Sequence, residues 1–167
     1  MAENRKEFSQ FIQELGLFQP DNGSAFSAKE AVEIATRIGY PVLARPSYVL
    51  GGRAMRIIYD KESLLSFISE ARDVSEGHPV LIDKFLEDAV EVDVDAICDG
   101  HEVYIGGIME HIENAGIHSG DSACVLPPHT LSEKMMSTIK DNTRRIALGL
   151  KVIGLLNIHF AIKGERL

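Results

Sequence analysis

The amino-acid sequence predicts an α+β fold of two αβ subdomains with mainly antiparallel sheets. Three observations carry this. Apolar residues recur at helical spacing in four segments, with short strand-like runs between them. "VEVDVDAI" (Val90–Ile97) alternates strictly and runs into the turn "CDGH", the pattern of an antiparallel hairpin. The chain also changes character near residue 84, from short strands around a glycine-rich loop to longer alternating ones. The expected organisation is an N-terminal helix and linker over 1–24, a small subdomain over 25–83, and the first part of a larger subdomain over 84–167.

In chain order, Arg5–Leu15 is a helix capped by Asn4, with Phe8, Phe11, Ile12 and Leu15 on one face and Gly16 as its stop. "SAKEAVEIATRIG" is a second helix; Ser27 and Glu30 form a capping box and Gly39 ends it. "YPVLAR" and "AMRIIY" are strands entering and leaving the glycine loop. Asp60 caps a third helix with Leu64, Leu65, Phe67, Ile68 and Ala71 as its apolar stripe, and "PVLID" is the strand that follows. In the second half, Glu91, Asp93 and Asp95 share one strand face and Val92 and Val94 the other. "EVYIGGIMEHI" returns antiparallel, and "SACVLPP" is a strand stopped by two prolines. Thr130 and Glu133 form a capping box for a long helix with Met135, Ile139, Ile146 and Leu150 inward. "GLLNIHFAIK" is a last strand, and with nothing after it to pair, the expectation is a sheet whose C-terminal part is missing.

The 167 residues are 45% hydrophobic and 25% charged, a globular balance, with a net charge of -8. That charge excludes bulk nucleic-acid binding but not an anionic ligand held by a local cluster of Arg, Lys and N–H groups. The two cysteines, Cys98 and Cys124, have no CxxC spacing and are expected as buried thiols in a reducing compartment. "MAENRKEF" is no signal peptide and no run approaches a membrane span, so a cytoplasmic protein without membrane partners is expected.

Three stretches could carry chemistry. "RPSYVLGGRAM" places Arg45 and Arg53 around Gly51 and Gly52. Glycines let a backbone approach a ligand and arginines bind phosphate in a fork, although a hairpin turn with solvated arginines has the same pattern. It is neither a Walker A loop nor GxGxxG. The face of Glu91, Asp93 and Asp95 could hold a ribose hydroxyl or a cation, or be the wet side of an antiparallel strand. "EHIENAGIHSGDS" offers His111, His118, Ser119 and Asp121 to a nucleotide, or is a structural loop. No HExxH or defensible Ser-His-Asp set occurs.

"ARPSYVLGGRAM", "FLEDAVEVDVDAICDG", "GGIMEHIENAGIHSGDSACVLP" and "GLLNIHFAIK" together resemble the large chain of carbamoyl-phosphate synthetase, over nearly the whole of this sequence but only a small part of that long polypeptide. The resemblance is closest to its second, carbamate-phosphorylating half. It implies an ATP-grasp fold with ATP, and Mg²⁺ or Mn²⁺, between two subdomains. It further implies phosphate contacts from Arg5 and Arg45, adenine reading by the backbone of Lys84 and Leu86, and ribose binding by Glu91. Gly116, Ile117, His118 and Ser119 would line the nucleotide pocket, and His111 would stand near the reacting phosphate. With Arg45, His111 is the implied catalytic residue.

Where the family reads N-x-Q at the last strand, this sequence reads "NIH". His159 therefore takes the place of a magnesium-ligating glutamine, as a tolerated, inert histidine or with a changed metal preference. A metal-binding Glu and an Asn-Pro-Arg motif are implied just beyond "GERL", so this stretch alone is expected to be inactive. The implied parent is a ligase of arginine and pyrimidine biosynthesis. Its partners would be ATP, carbamate, a glutaminase small chain and the rest of the large chain. The rival readings are another ATP-grasp enzyme, such as a biotin-dependent carboxylase, and a non-catalytic nucleotide-binding or structural fragment.

Overall fold

The computed structural model describes residues 5–47, 55–72, 78–117 and 122–167, without the side chains of residues 5, 6 and 72. The Asn4 cap, the glycines and Arg53 of the glycine loop, His118, Ser119 and Asp121 lie outside the described residues. The elements are α1 (Arg5–Glu14), β1 (Asn22–Ala25), α2 (Ala28–Ile38), β2 (Val42–Pro46), β3 (Arg56–Ile58), α3 (Lys61–Arg72), β4 (Val80–Lys84), β5 (Val90–Asp99), β6 (Val103–His111), β7 (Cys124–Val125), α4 (Glu133–Gly149) and β8 (Ile153–Ile162). No described helix is long and apolar enough to cross a membrane.

The chain divides into two compact units, Pro20–Glu87 and a second made of Met1–Gln19 with Asp88–Leu167. These limits differ from those expected at 24 and 83. Asn22–Ala25 is a strand of the first unit, and α1 packs with the second through Phe11, Ile12 and Ile146. At the end of α4, a Cβ on Gly149 would lie 2.7 Å from the Phe11 ring, so the glycine is what lets α1 sit there.

In the first unit an antiparallel sheet of order β1-β4-β2-β3 is covered by α2 and α3. β1 was not legible as a strand, because "NGSA" has no β-branched residue. Pairing with β4 holds it extended, and Gly23 admits Ile34, whose Cγ2 would be 2.8 Å from an added Cβ. Ser27 caps α2 by accepting from Glu30 N (3.2 Å), while Glu30 accepts from Phe26 N (2.8 Å), one residue upstream of the expected reciprocal bond. The Asp60 cap of α3 accepts from Ser63 N at 2.8 Å. Leu64, Phe67, Ile68 and Ala71 are buried, but Leu65 is exposed, because adjacent helical residues lie about 100° apart.

In the second unit the antiparallel sheet runs β7-β6-β5-β8. Its packed face joins Val92, Val94, Ile108 and Ile162 to Ile139 of α4. The expected Thr130–Glu133 capping box does not form. Ser132 is the cap, accepting from Met135 N, whereas Thr130 donates its hydroxyl and its N–H to Glu110. Thr143 and Ala147 join Ile139 and Ile146 in the buried stripe of α4. The "SACVLPP" strand contracts to Cys124–Val125. Cys98 is buried as expected, but Cys124 is exposed, because β7 is an edge strand.

Candidate functional site

The other face of this second sheet carries the polar cluster. β5 pairs with β8 so that Asp93 faces His159 and Asp95 faces Asn157. Directly opposed residues share a face, which sets all four against the side of Val92 and Val94. The expected segregation along β5 is thus observed. Beyond Asp95 the same face turns apolar, with Ile97 opposite both Tyr104 and Leu155 and all three exposed.

His111 ends β6 and is the most enclosed member, with a side chain only 1% exposed. Its Nε2 is 2.9 Å from Asp93 Oδ2, a buried hydrogen bond, and its Nδ1 is 3.7 Å from Glu91 Oε2 without a hydrogen-bond partner. His159 meets it edge-on, ring centroids 5.3 Å apart, with Nδ1 3.3 Å from Asp93 Oδ1 and Nε2 3.6 Å from Glu91 Oε1. Glu91 raises the His159 pKa above the ordinary imidazole value against the opposing effect of burial, and Asp93 adds to the rise. Glu91 Oε1 also accepts from Gly116 N (3.2 Å), where φ is +95° and glycine is favoured. Asn157 donates to Asp95 at 2.9 Å.

Of the residues expected at the site, the fold thus gathers Glu91, His111, Gly116 and His159. Ile117 follows Gly116 and is exposed. Arg45, Lys84 and Leu86 belong to the other unit. Arg45 lies on β2 with an exposed side chain, its Nε 3.9 Å from Asp83 Oδ2. Lys84 Nζ donates to the Gly39 and Tyr40 carbonyls at 3.0 Å, and its N–H donates to the Asp21 carbonyl at 2.7 Å. Arg5 begins α1.

The sequence reading placed Asp93 on this face but gave the specific role to Glu91 alone. The register that sets Asp93 opposite His159 depends on a strand some sixty residues away, so only a strand-pairing argument could have found it. Cys124 pairs with His111 across β6 and β7, and burial, together with Asp93 and Glu113, pushes its thiol up, so it remains protonated.

Among the described residues, Asp93, His111 and His159 each offer one ligand atom within 4.8 Å of one another. Two of the three are imidazole nitrogens. Magnesium demands oxygen ligands in near-octahedral array, so this set does not fit Mg²⁺. The oxygens that suit it here are those of Glu91 and Asp93.

Residues 4–166 match the family described as carbamoyl-phosphate synthase L chain, ATP binding domain. The chain belongs to this family. It is 62% identical to the carbamoyl phosphate synthase large chain of Archaeoglobus fulgidus, covering 98% of this sequence and 15% of that one. For the Campylobacter jejuni large chain the values are 60%, 100% and 15%. The C-terminal section of the carbamoyl phosphate synthase large chain from Methanocaldococcus jannaschii is 58% identical, with 97% of this sequence and 26% of that one covered. The protein therefore spans only a small part of these relatives' length.

Among solved structures, the biotin carboxylase domain of Hydrogenobacter thermophilus 2-oxoglutarate carboxylase superposes with a TM-score of 0.78 at 20% identity, over 99% of this protein and 38% of that one. D-alanine-D-alanine ligase from Helicobacter pylori gives 0.75 at 16%, over 98% and 51%. These likenesses establish the fold, which is ATP-grasp.

Proposed function

We propose that the protein is the ATP-binding part of the second, carbamate-phosphorylating half of a carbamoyl phosphate synthase large chain. The observation that carries this is its 58% identity, over nearly its whole length, to the C-terminal section of such a large subunit. In the parent reaction a carbamate oxygen attacks the γ-phosphorus of ATP. The new O–P bond forms as the bond to ADP breaks, giving carbamoyl phosphate. Such a transfer relies on positioning and on charge stabilisation.

In this reading Arg45 and Arg5 neutralise phosphate oxygens, and the backbone of Lys84 and Leu86 reads the adenine edge. With the Lys84 N–H already donating to Asp21, the carbonyl is what that residue offers a base. Glu91 takes the ribose hydroxyls, Gly116 to Ser119 line the pocket, and His111 stands near the reacting phosphate. Mg²⁺ or Mn²⁺ would accompany the nucleotide, with His159 at the position of the family's metal-ligating glutamine. The setting is the cytoplasm, with a glutaminase small chain supplying ammonia, in arginine and pyrimidine synthesis.

Calorimetric titration of Mg²⁺-ATP into the protein and into Arg45→Ala tests the assignment. Loss of one charged phosphate contact is expected to weaken binding by about 10- to 100-fold, the equivalent of about 1.5–3 kcal/mol. Equal affinity in the two proteins would remove Arg45 from the phosphate site.

A further inference from the structure

We propose that Asp93, His111 and His159 form a site for a borderline divalent cation of the Zn²⁺ or Co²⁺ class, with Glu91 orienting His111 behind it. This goes beyond the nucleotide reading and does not depend on it. The donor set is one carboxylate and two imidazoles, the chemistry that such ions prefer over the all-oxygen set of Mg²⁺. The spacing is near what an ion needs. Ligand atoms about 2.0–2.2 Å from a tetrahedral zinc lie roughly 3.3–3.6 Å from each other. One ligand atom from each of the three residues lies within 4.8 Å of the others, with the two Asp93 oxygens 3.3 Å from His159 Nδ1 and 2.9 Å from His111 Nε2, so a small inward shift of the side chains completes the site.

The second, independent observation is the orphaned Nδ1 of His111. A buried ring nitrogen without a hydrogen-bond partner is costly. The Asp93 bond accounts for Nε2 and leaves Nδ1 unexplained. With Nε2 on a cation, the ring proton must sit on Nδ1, where it faces Glu91 Oε2, now 3.7 Å away. A slight closure makes this the carboxylate–histidine–metal arrangement that fixes the tautomer and strengthens the ligand. The site is rigid on one side and accessible on the other, since the His111 side chain is 1% exposed and that of His159 40%. That access leaves room for the ion to enter and for a fourth ligand such as water.

The test titrates Co²⁺ into the nucleotide-free 167-residue protein while following its visible d–d bands. One ion per molecule is expected, with bands of four- or five-coordinate intensity that Zn²⁺ abolishes and excess Mg²⁺ leaves in place. His159→Gln exchanges an imidazole ligand for an amide oxygen, a poor donor for a borderline ion, and is expected to cost at least about 100-fold in Co²⁺ affinity, while Glu91→Gln costs about 10- to 100-fold, the range for outer-shell partners. Ring-nitrogen NMR of the unmodified protein with Zn²⁺ gives a readout that needs no variant. The His111 and His159 signals should move while those of exposed His78, His101 and His129 stay. Bands unchanged in His159→Gln, displacement by Mg²⁺ at equal concentration, or shifts confined to the exposed histidines would each overturn the proposal.

Discussion

Two buried carboxylates sit back to back in the second sheet, Glu110 on the packed face and Asp93 on the open one. Each is less than a tenth exposed. Glu110 lies opposite Val92, and Asp93, the next residue along β5, lies opposite Met109. Their partners differ in kind. Glu110 accepts from His129 N (2.8 Å), Thr130 N (2.9 Å) and the Thr130 hydroxyl, all from the turn that leads into α4. Burial alone would raise its pKa, but these hydrogen bonds outweigh it and hold the carboxyl below its ordinary range. Asp93 instead meets two imidazoles, one of which keeps a buried nitrogen unpartnered. A buried charge whose donors are fully matched pins the fold. One whose partners have coordination left over is free to serve a ligand, which is the role proposed for the Asp93 face.

The largest effect that sharpens this contrast belongs to the packed face. Ile139→Ala empties a fully buried position between α4 and the sheet and should cost about 2–5 kcal/mol in urea unfolding. The open-face histidine signals should stay in place. Glu110→Ala comes next. It strands the Thr130 and His129 donors and should cost about 2–3 kcal/mol, again read by urea unfolding, with Co²⁺ binding unchanged.

The same carboxylate predicts a pH dependence. Because its folded pKa is lowered, its contribution is fully present above the unfolded carboxylate value and is lost as pH falls through the folded one. Glu110→Gln should therefore flatten the acid limb of stability against pH. The smallest effect is that of His159→Gln on the cation-free protein. The folded pKa of His159 is raised, so its contribution is fully present below about pH 6.5 and disappears as pH rises through the folded value. The stability gap between the two proteins, from paired urea curves, should be widest in mild acid and narrow as pH rises above about 6.5. A gap that widens would contradict the His159–Glu91 geometry.

The sequence carried much of this architecture. The alternation of β5 is strong enough to assign each face in advance, and the caps at Ser27 and Asp60 act through their expected side chains. Three features escaped it, each for a tertiary reason. β1 has no strand propensity and exists through its pairing with β4. Thr130 has good capping chemistry, yet Glu110, twenty residues earlier, recruits it and leaves the cap to Ser132. The alternation of β5 puts Glu91 and Asp93 on one face, but that His111 and His159 meet on that face follows only from the antiparallel register of β5 with β6 and β8. Local pattern reveals a strand's faces, but its neighbours are set by pairing across the whole unit.

The most direct test of the two-face account is a titration of the protein with Mg²⁺ and a non-hydrolysable ATP analogue, followed by backbone and imidazole ¹⁵N NMR. The account predicts shifts at the Gly116 amide and at the rings of His111 and His159, with the His129 and Thr130 amides on Glu110 unmoved. Shifts concentrated at His129 and Thr130, or a silent Gly116 and silent rings at saturation, would contradict it.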